Sequence, residues 1–206
     1  MTHPWTANAV TDIAAEPQRI AVLFPAAGRA VGREPVDAAA DPLGLRHGTA
    51  DDLAREQLVG ALLAALPPDG AAAALGELYR YGDDAERRGV LRGLNAAPEQ
   101  PQAVVSTGLE LVADALRTND TRLVAAALGD FAGAHLDDHA WRHGVLKALF
   151  MGIPVDVVAR LDDRADDELA RMAAGLVAER RAAGREINDD MTRLAHSTTT
   201  TPTPGG

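Results

Sequence analysis

An all-α protein is predicted for this chain of 206 residues, and three observations carry the prediction. Its hydrophobic fraction is 47%, made largely of alanine and leucine, which lose little side-chain freedom in a helix. Only 3% of residues are aromatic, and strand formers never alternate over a convincing run. Helix-starting Thr, Asp and Asn and helix-stopping Gly and Pro recur along the chain. The expected form is a HEAT-like α-solenoid or an irregular bundle of about eight or nine helices.

Each element has its own signal. Residues 17–31, "PQRIAVLFPAAGRAV", read as a first helix that Pro25 should kink or split. Residues 32–48 are loop-like. Thr49 caps a helix that stops at Pro67-Pro68 and carries Leu58, Leu62 and Ala65 on one face. Asp69 can cap "GAAAALGELYRY", and Asp83 with Glu86 forms a capping-box pattern for the next helix. Pro98 and Pro101 interrupt the chain before "QAVVSTGLELVADALR". Asn119 starts "DTRLVAAALGDFAGA", and Asp137 or Asp138 starts "HAWRHGVLKALFM". Pro154 fits the first position of a short helix, "VDVVARL". Asp166 caps a last helix that Gly184 ends, with Leu169, Met172, Ala173 and Leu176 at core spacing.

Residues 1–16 are expected to be a flexible N-terminus, 17–195 one helical domain, and 196–206 a disordered tail, because "HSTTTTPTPGG" is too polar to offset its ordering entropy. Helix starts near 101, 119 and 137 suggest a helix pair every ~36 residues, the period of α-solenoids, although no repeated sequence signature accompanies it. Gly60, Gly76, Gly108, Gly129 and Gly144 fall inside helices, where close helix approach or a cleft would explain them.

The formal net charge of −10 disfavours nucleic acid and anionic membrane surfaces as partners. With no cysteine there are no disulfides, thiolate ligands or cysteine nucleophiles. The first residues lack a signal-peptide pattern, and no apolar run approaches the roughly 20 residues that span a bilayer. A soluble cytoplasmic protein without direct membrane insertion is expected.

The richest chemistry lies in "AHLDDHAWRHGVLKALF", residues 134–150. His135, His139 and His143 recur every fourth residue, a spacing that shares one helical face and can bind zinc with a third ligand. No glutamate base stands between His139 and His143, and a cap at Asp137 or Asp138 leaves His135 outside the helix. His139 and His143 are therefore weak metal candidates, and no cofactor is expected. Trp141 reads as core or as the wall of a cleft. Lys147 is the only lysine in the chain; it could reach solvent or meet an anionic ligand. "GRAVGR" (28–33) has neither the preceding strand nor the Gly-Lys of a phosphate loop. "DDRADDE" (162–168) reads as helix capping with a solvated acidic face rather than a calcium loop. No Gly-X-Ser-X-Gly elbow is present.

Several stretches resemble the EboA family: "ALRTN" (115–119), "LDDHAW" (136–141), "VLKALFMGIP" (145–154), "LDDRADDELARM" (161–172) and "ERRAAGR" (179–185). Weaker echoes lie in "LFPAAGRAVGREPV" (23–36) and "TADDLAR" (49–55). The resemblance implies a HEAT-like helical domain over 17–195 that belongs to a gene set for making or exporting secondary metabolites. That set includes a membrane prenyltransferase-like protein, a dehydroquinate-synthase-like protein, a sugar-isomerase-like protein and metal-dependent hydrolase-like proteins. Asn119, Asp137, Trp141, Lys147 and Phe150 match the family's pattern, so Asn119, Trp141 and Phe150 become ligand-binding candidates. Arg142, His143, His139 and Gly28 depart from it.

Two functional readings follow. In the first, the protein is a noncatalytic accessory or scaffold that binds a pathway enzyme, the prenyltransferase-like protein or a small apolar metabolite. In the second, it is an isomerase, cyclase or transferase of that pathway, with His135, Asp137, His143 and Lys147 sharing acid/base or nucleophilic work. Convergence of these side chains in a deep apolar pocket would favour the second reading.

Overall fold

The structure, a computed structural model, describes residues 2–97 and 99–196. The expected disordered tail lies, beyond His196, outside the described residues. Twelve α-helices and no strand occur among the described residues, so the fold is all-α.

Residues 4–15, which carried no helix expectation, form α1 (Pro4–Ala15). Pro4 takes a first-turn position that needs no donor, the His3 imidazole accepts the Trp5 N–H, and Ile13 is buried. A 3₁₀ turn at Pro17–Arg19 leads into α2 (Ile20–Val31). Pro25 does not split α2. The carbonyl it leaves without a donor is that of Ala21, and both residues lie on the exposed face, where water can satisfy it.

Residues 32–48 form no helix, as expected, but they are tied down. The buried Asp41 carboxylate accepts the N–H groups of Leu45, Arg46 and His47 at 2.8–2.9 Å. Burial pushes the Asp41 carboxyl up, yet these three bonds hold it below the usual carboxylate range.

The next helices are α3 (Ala50–Ala65), α4 (Pro68–Tyr81), α5 (Asp84–Ala96) and α6 (Gln102–Arg117). Thr49 starts α3, and Asp83 with Glu86 makes the capping box of α5, both as the sequence indicates. Asp69 does not cap α4. Pro68 is already set for a helical first turn, so the helix starts two residues earlier, with Pro67 at the cap. Likewise Asp120, not Asn119, caps the following helix, its carboxylate accepting the Leu123 N–H at 2.7 Å.

The single helix expected over 120–134 is two: α7 (Thr121–Ala127) and α8 (Asp130–His135). Asn95 of α5 divides them. Its amide donates to the Ala126 carbonyl (2.8 Å) and accepts the Phe131 N–H (3.1 Å), taking over groups a continuous helix would use internally. Gly129 makes room, since a Cβ there would lie 2.3 Å from Asn95 Nδ2. Asn95→Ala should therefore lower the unfolding free energy by about 2 kcal/mol, the net worth of two such bonds. A smaller urea midpoint at unchanged m-value would register it.

The remaining elements are α9 (Asp138–Met151), α10 (Leu161–Arg164), α11 (Asp167–Ala182) and α12 (Asp189–Ala195). "VDVVARL" is not a helix started by Pro154. It gives a 3₁₀ turn at Val155–Val157, and Arg160 then takes a left-handed conformation (φ 58°) before α10. The Ala159 N–H, which a helix would aim at Val155, donates instead to the Leu128 carbonyl at 2.9 Å. α12 escaped the sequence reading because two buried residues, Met191 and Leu194, make too short a periodic signal.

Alternate helices pack side by side. α1 lies on α3, α3 on α5 and α5 on α7, while α4 lies on α6 and α6 on α8. α9 then contacts α7 and α11, and α12 lies along α11. One apolar core, with Ile13, Phe24, Leu62, Leu75, Leu94 and Phe131, fills the first eight helices. A second, with Leu128, Trp141, Leu149, Val155, Leu169 and Met191, fills the C-terminal half, and Leu45 of the long loop reaches into it.

Candidate functional site

The chemically rich segment is divided by its own secondary structure. His135 closes α8, its ring 4.8 Å from that of the buried Phe131. Asp137 caps α9 by accepting the Ala140 N–H at 2.7 Å. Trp141 points the other way, into the second core, where it is 1% exposed. The Arg164 guanidinium covers its ring at 4.8 Å and donates to the carbonyls of Gly133 and Leu136 and to Asp138. Trp141 is thus a core residue. Asn119 is exposed in the turn before α7.

His139 and His143 stack with ring centroids 4.4 Å apart on the exposed side of α9. No three His, Cys, Asp or Glu side chains gather into a potential metal set among the described residues. Arg142 forks onto Asp166 at 2.5–3.2 Å. Those hydrogen bonds, ahead of the opposing effect of burial, hold the Asp166 carboxyl below its usual range while it caps α11 through the Leu169 N–H. This pair ties α9 to the start of α11.

One stripe of α9 remains uncovered. His143, Leu146, Lys147 and Phe150 follow one another at helical spacing and face Met172, Leu176 and Glu179 of α11. Together they line an open groove of about 430 Å³. Leu169 and Ala173 of the predicted α11 stripe are buried, whereas Met172 and Leu176 lie at its edge and form the groove wall. Phe150 is 55% exposed at its mouth. Lys147 is half-buried and has no ion pair among the described residues. Of the residues singled out from the sequence, the groove collects His143, Lys147 and Phe150. His135, Asp137, Asn119, His139 and Trp141 are not among its lining.

The sequence reading missed a buried ionic network between α3 and α5. Asp51, Asp52 and Arg55 are wholly buried, and Arg88 is 6% exposed. Arg55 donates to Asp51 (2.5 Å) and to the Phe24 carbonyl (3.2 Å). Asp52 receives Arg88 at 2.8 Å on both oxygens, the Thr49 N–H at 3.0 Å and Arg92 at 3.4 Å. The Thr49 hydroxyl donates to Asp51 and accepts from Arg88. Burial pushes the Asp51 carboxyl up, but the Thr49 hydroxyl and Arg55 hold it below its usual range. Arg92 also grips the carbonyls of Gly44, Leu45 and Arg46, which fastens the long loop. These contacts join α3, α5 and the long loop, while two buried nitrogens, Arg55 Nη2 and Arg92 Nε, have no hydrogen-bond partner among the described residues. The network's signal was an Asp-Asp-x-x-Arg run, with Gly89 set against Arg55 and Gly93 against Val59 so that α5 comes close.

The fold and the groove together define an all-helical protein whose concentration of unusual side chains borders an open apolar furrow. A family model described as metabolite traffic protein EboA matches residues 46–196. The chain therefore belongs to the EboA family. The matched span holds α3 to α12, and with them the groove and most of the ionic network. No curated protein and no solved structure matches the chain. No helix of the described residues is long and apolar enough to cross a membrane.

Proposed function

We propose that this chain is a noncatalytic accessory of metabolite traffic that holds an apolar metabolite bearing one anionic group in the α9–α11 groove. The observation that carries this reading is the pairing of a Leu146, Phe150, Met172 and Leu176 wall with the chain's only lysine. A volume of about 430 Å³ falls in the range of small-molecule sites. The aliphatic stem of Lys147 can lie along the apolar wall while its ammonium meets the anionic end. The protein would work in the cytoplasm, passing its cargo to an enzyme or membrane protein of the same secondary-metabolite pathway. The family's description as a metabolite traffic protein supports this reading.

The catalytic alternative draws less support. It needs His135, Asp137, His143 and Lys147 in one place, and only His143 and Lys147 border the groove. The groove is also open, whereas acid/base chemistry gains from a water-poor enclosure.

Dodecanoate is a suitable probe. Isothermal titration should show saturable binding that Lys147→Met weakens about tenfold, the lower end for a hydrogen bond to a charged group. Dodecanol should bind about tenfold more weakly than dodecanoate and ignore that substitution. Leu176→Glu should abolish both. Equal dodecanoate affinity in Lys147→Met and the parent would refute the assigned role of the lysine.

A further inference from the structure

A cavity with about 670 Å³ of space lies between α4 and α6, apart from the groove. Part of its α4 wall is made of the small residues Ala72, Ala73 and Gly76, with Glu77, Tyr79 and Arg80 of the same helix around them. At one end stands Tyr79, 4% exposed, whose hydroxyl donates to Asp114 at 3.1 Å. Arg117 takes the other Asp114 oxygen at 2.9 Å, so both oxygens of that carboxylate already have a partner in the chain.

Arg87 of α5 enters the same end and is held on two sides. Its Nε donates to the Tyr79 carbonyl at 3.2 Å, and its guanidinium lies 5.5 Å from the Tyr79 ring centre. It has no ion pair, and its Nη atoms have no acceptor among the described residues. An arginine fixed through Nε and ring contact, with both Nη groups unspent, is a pre-organised fork for a planar two-oxygen anion. Arg80, at the end of α4, lines the same space and is likewise without an ion pair among the described residues. Glu77 and Glu110 on the rim balance the charge, which disfavours a polyanion and suits a ligand with a single anionic group.

We propose that the α4–α6 cavity is a second binding site, separate from the α9–α11 groove, for a small polar metabolite whose carboxylate or phosphate is held by the Arg87 fork with Arg80 beside it. The small residues of α4 leave room for the body of that ligand. Gly76 gives the cleanest handle. A Cβ built there would meet only Thr107 Cγ2, at 3.8 Å, an ordinary contact, so a larger side chain fills the cavity without disturbing the helix pair.

Benzoate and phenyl phosphate serve as probes for the two anion types, followed by amide chemical shifts in the full chain. Saturable shifts at Gly76, Thr107 and Arg87 are expected with at least one of them, and the tighter probe names the anion. Arg87→Gln should weaken it about tenfold, and Gly76→Met should abolish it while the protein stays folded. Lys147→Met should leave it unchanged, which separates this site from the groove. Absence of saturable shifts at α4 and α6 with both probes, or full affinity in folded Gly76→Met, would overturn the proposal.

Discussion

Asp52→Ala should destabilise the fold by about 3–5 kcal/mol, the loss measured when one member of a buried ion pair is removed. Its carboxylate meets Arg88 on both oxygens at 2.8 Å, the Thr49 N–H at 3.0 Å and Arg92 at 3.4 Å. Alanine leaves Arg88 buried and uncompensated, strips a capping contact from α3, and loosens Arg92, which clasps the loop at Gly44 and Leu45. Arg88→Met should cost less, because Asp52 retains Arg92 and Thr49. The double variant Asp52→Leu, Arg88→Met should recover part of the loss, since it buries no lone charge. Urea unfolding at constant m-value reads all three. A loss below about 1 kcal/mol in Asp52→Ala would place the pair in the class of weak surface bridges instead.

Gly93→Ala should lower stability by about 1–3 kcal/mol, although alanine is the better helix former by about 1 kcal/mol. An added Cβ would lie 2.4 Å from both Cβ and Cγ1 of Val59, a branched side chain with no free end to move aside. Gly89, one turn earlier, bears on Arg55 in the same way, with Cδ at 2.4 Å, so α5 rests directly against α3 along two glycines. Val59→Ala should relieve only part of the strain in Gly93→Ala, since it removes both γ-methyls but keeps the Cβ at 2.4 Å, a coupling that a double-mutant cycle measures. Gly60→Ala is the control. No atom outside its own helix lies within 4 Å of its Cβ, and it should gain up to about 1 kcal/mol.

These two sites show where sequence patterns lose their hold. Thr49, Asp83, Asp137 and Asp166 mark helix starts because a cap is a local event, written within four residues. The break between α7 and α8 is not local: it is imposed by Asn95, distant in sequence. Asp51, Asp52 and Arg55 look like solvated surface charge, since a run of like spacing says nothing about what a later helix lays over it. Gly108 and Gly144 mark close approach, to Phe131 (2.4 Å) and Leu128 (2.7 Å), and Gly76 borders a cavity. The expectation of one cause or the other held at those positions but not at Gly60, which faces open space.

The candidate site was half legible. His143, Lys147 and Phe150 stood out by rarity and spacing, and they do share one groove. Met172 and Leu176 carried the same helical period as the core residues Leu169 and Ala173. Periodicity gives the direction of a side chain but not the depth of its neighbour, so their place at the edge had to come from the packing of α9 on α11. Trp141 went to the core because Arg164 and the second apolar cluster enclose it.

The central claim is that the α9–α11 groove receives an apolar anion, and amide chemical shifts of the full chain during a dodecanoate titration test it most directly. The expected result is a saturating set of shifts centred on Leu146, Lys147, Phe150, Met172 and Leu176. Shifts that fail to saturate, or that saturate elsewhere and leave α9 and α11 unmoved, would contradict it.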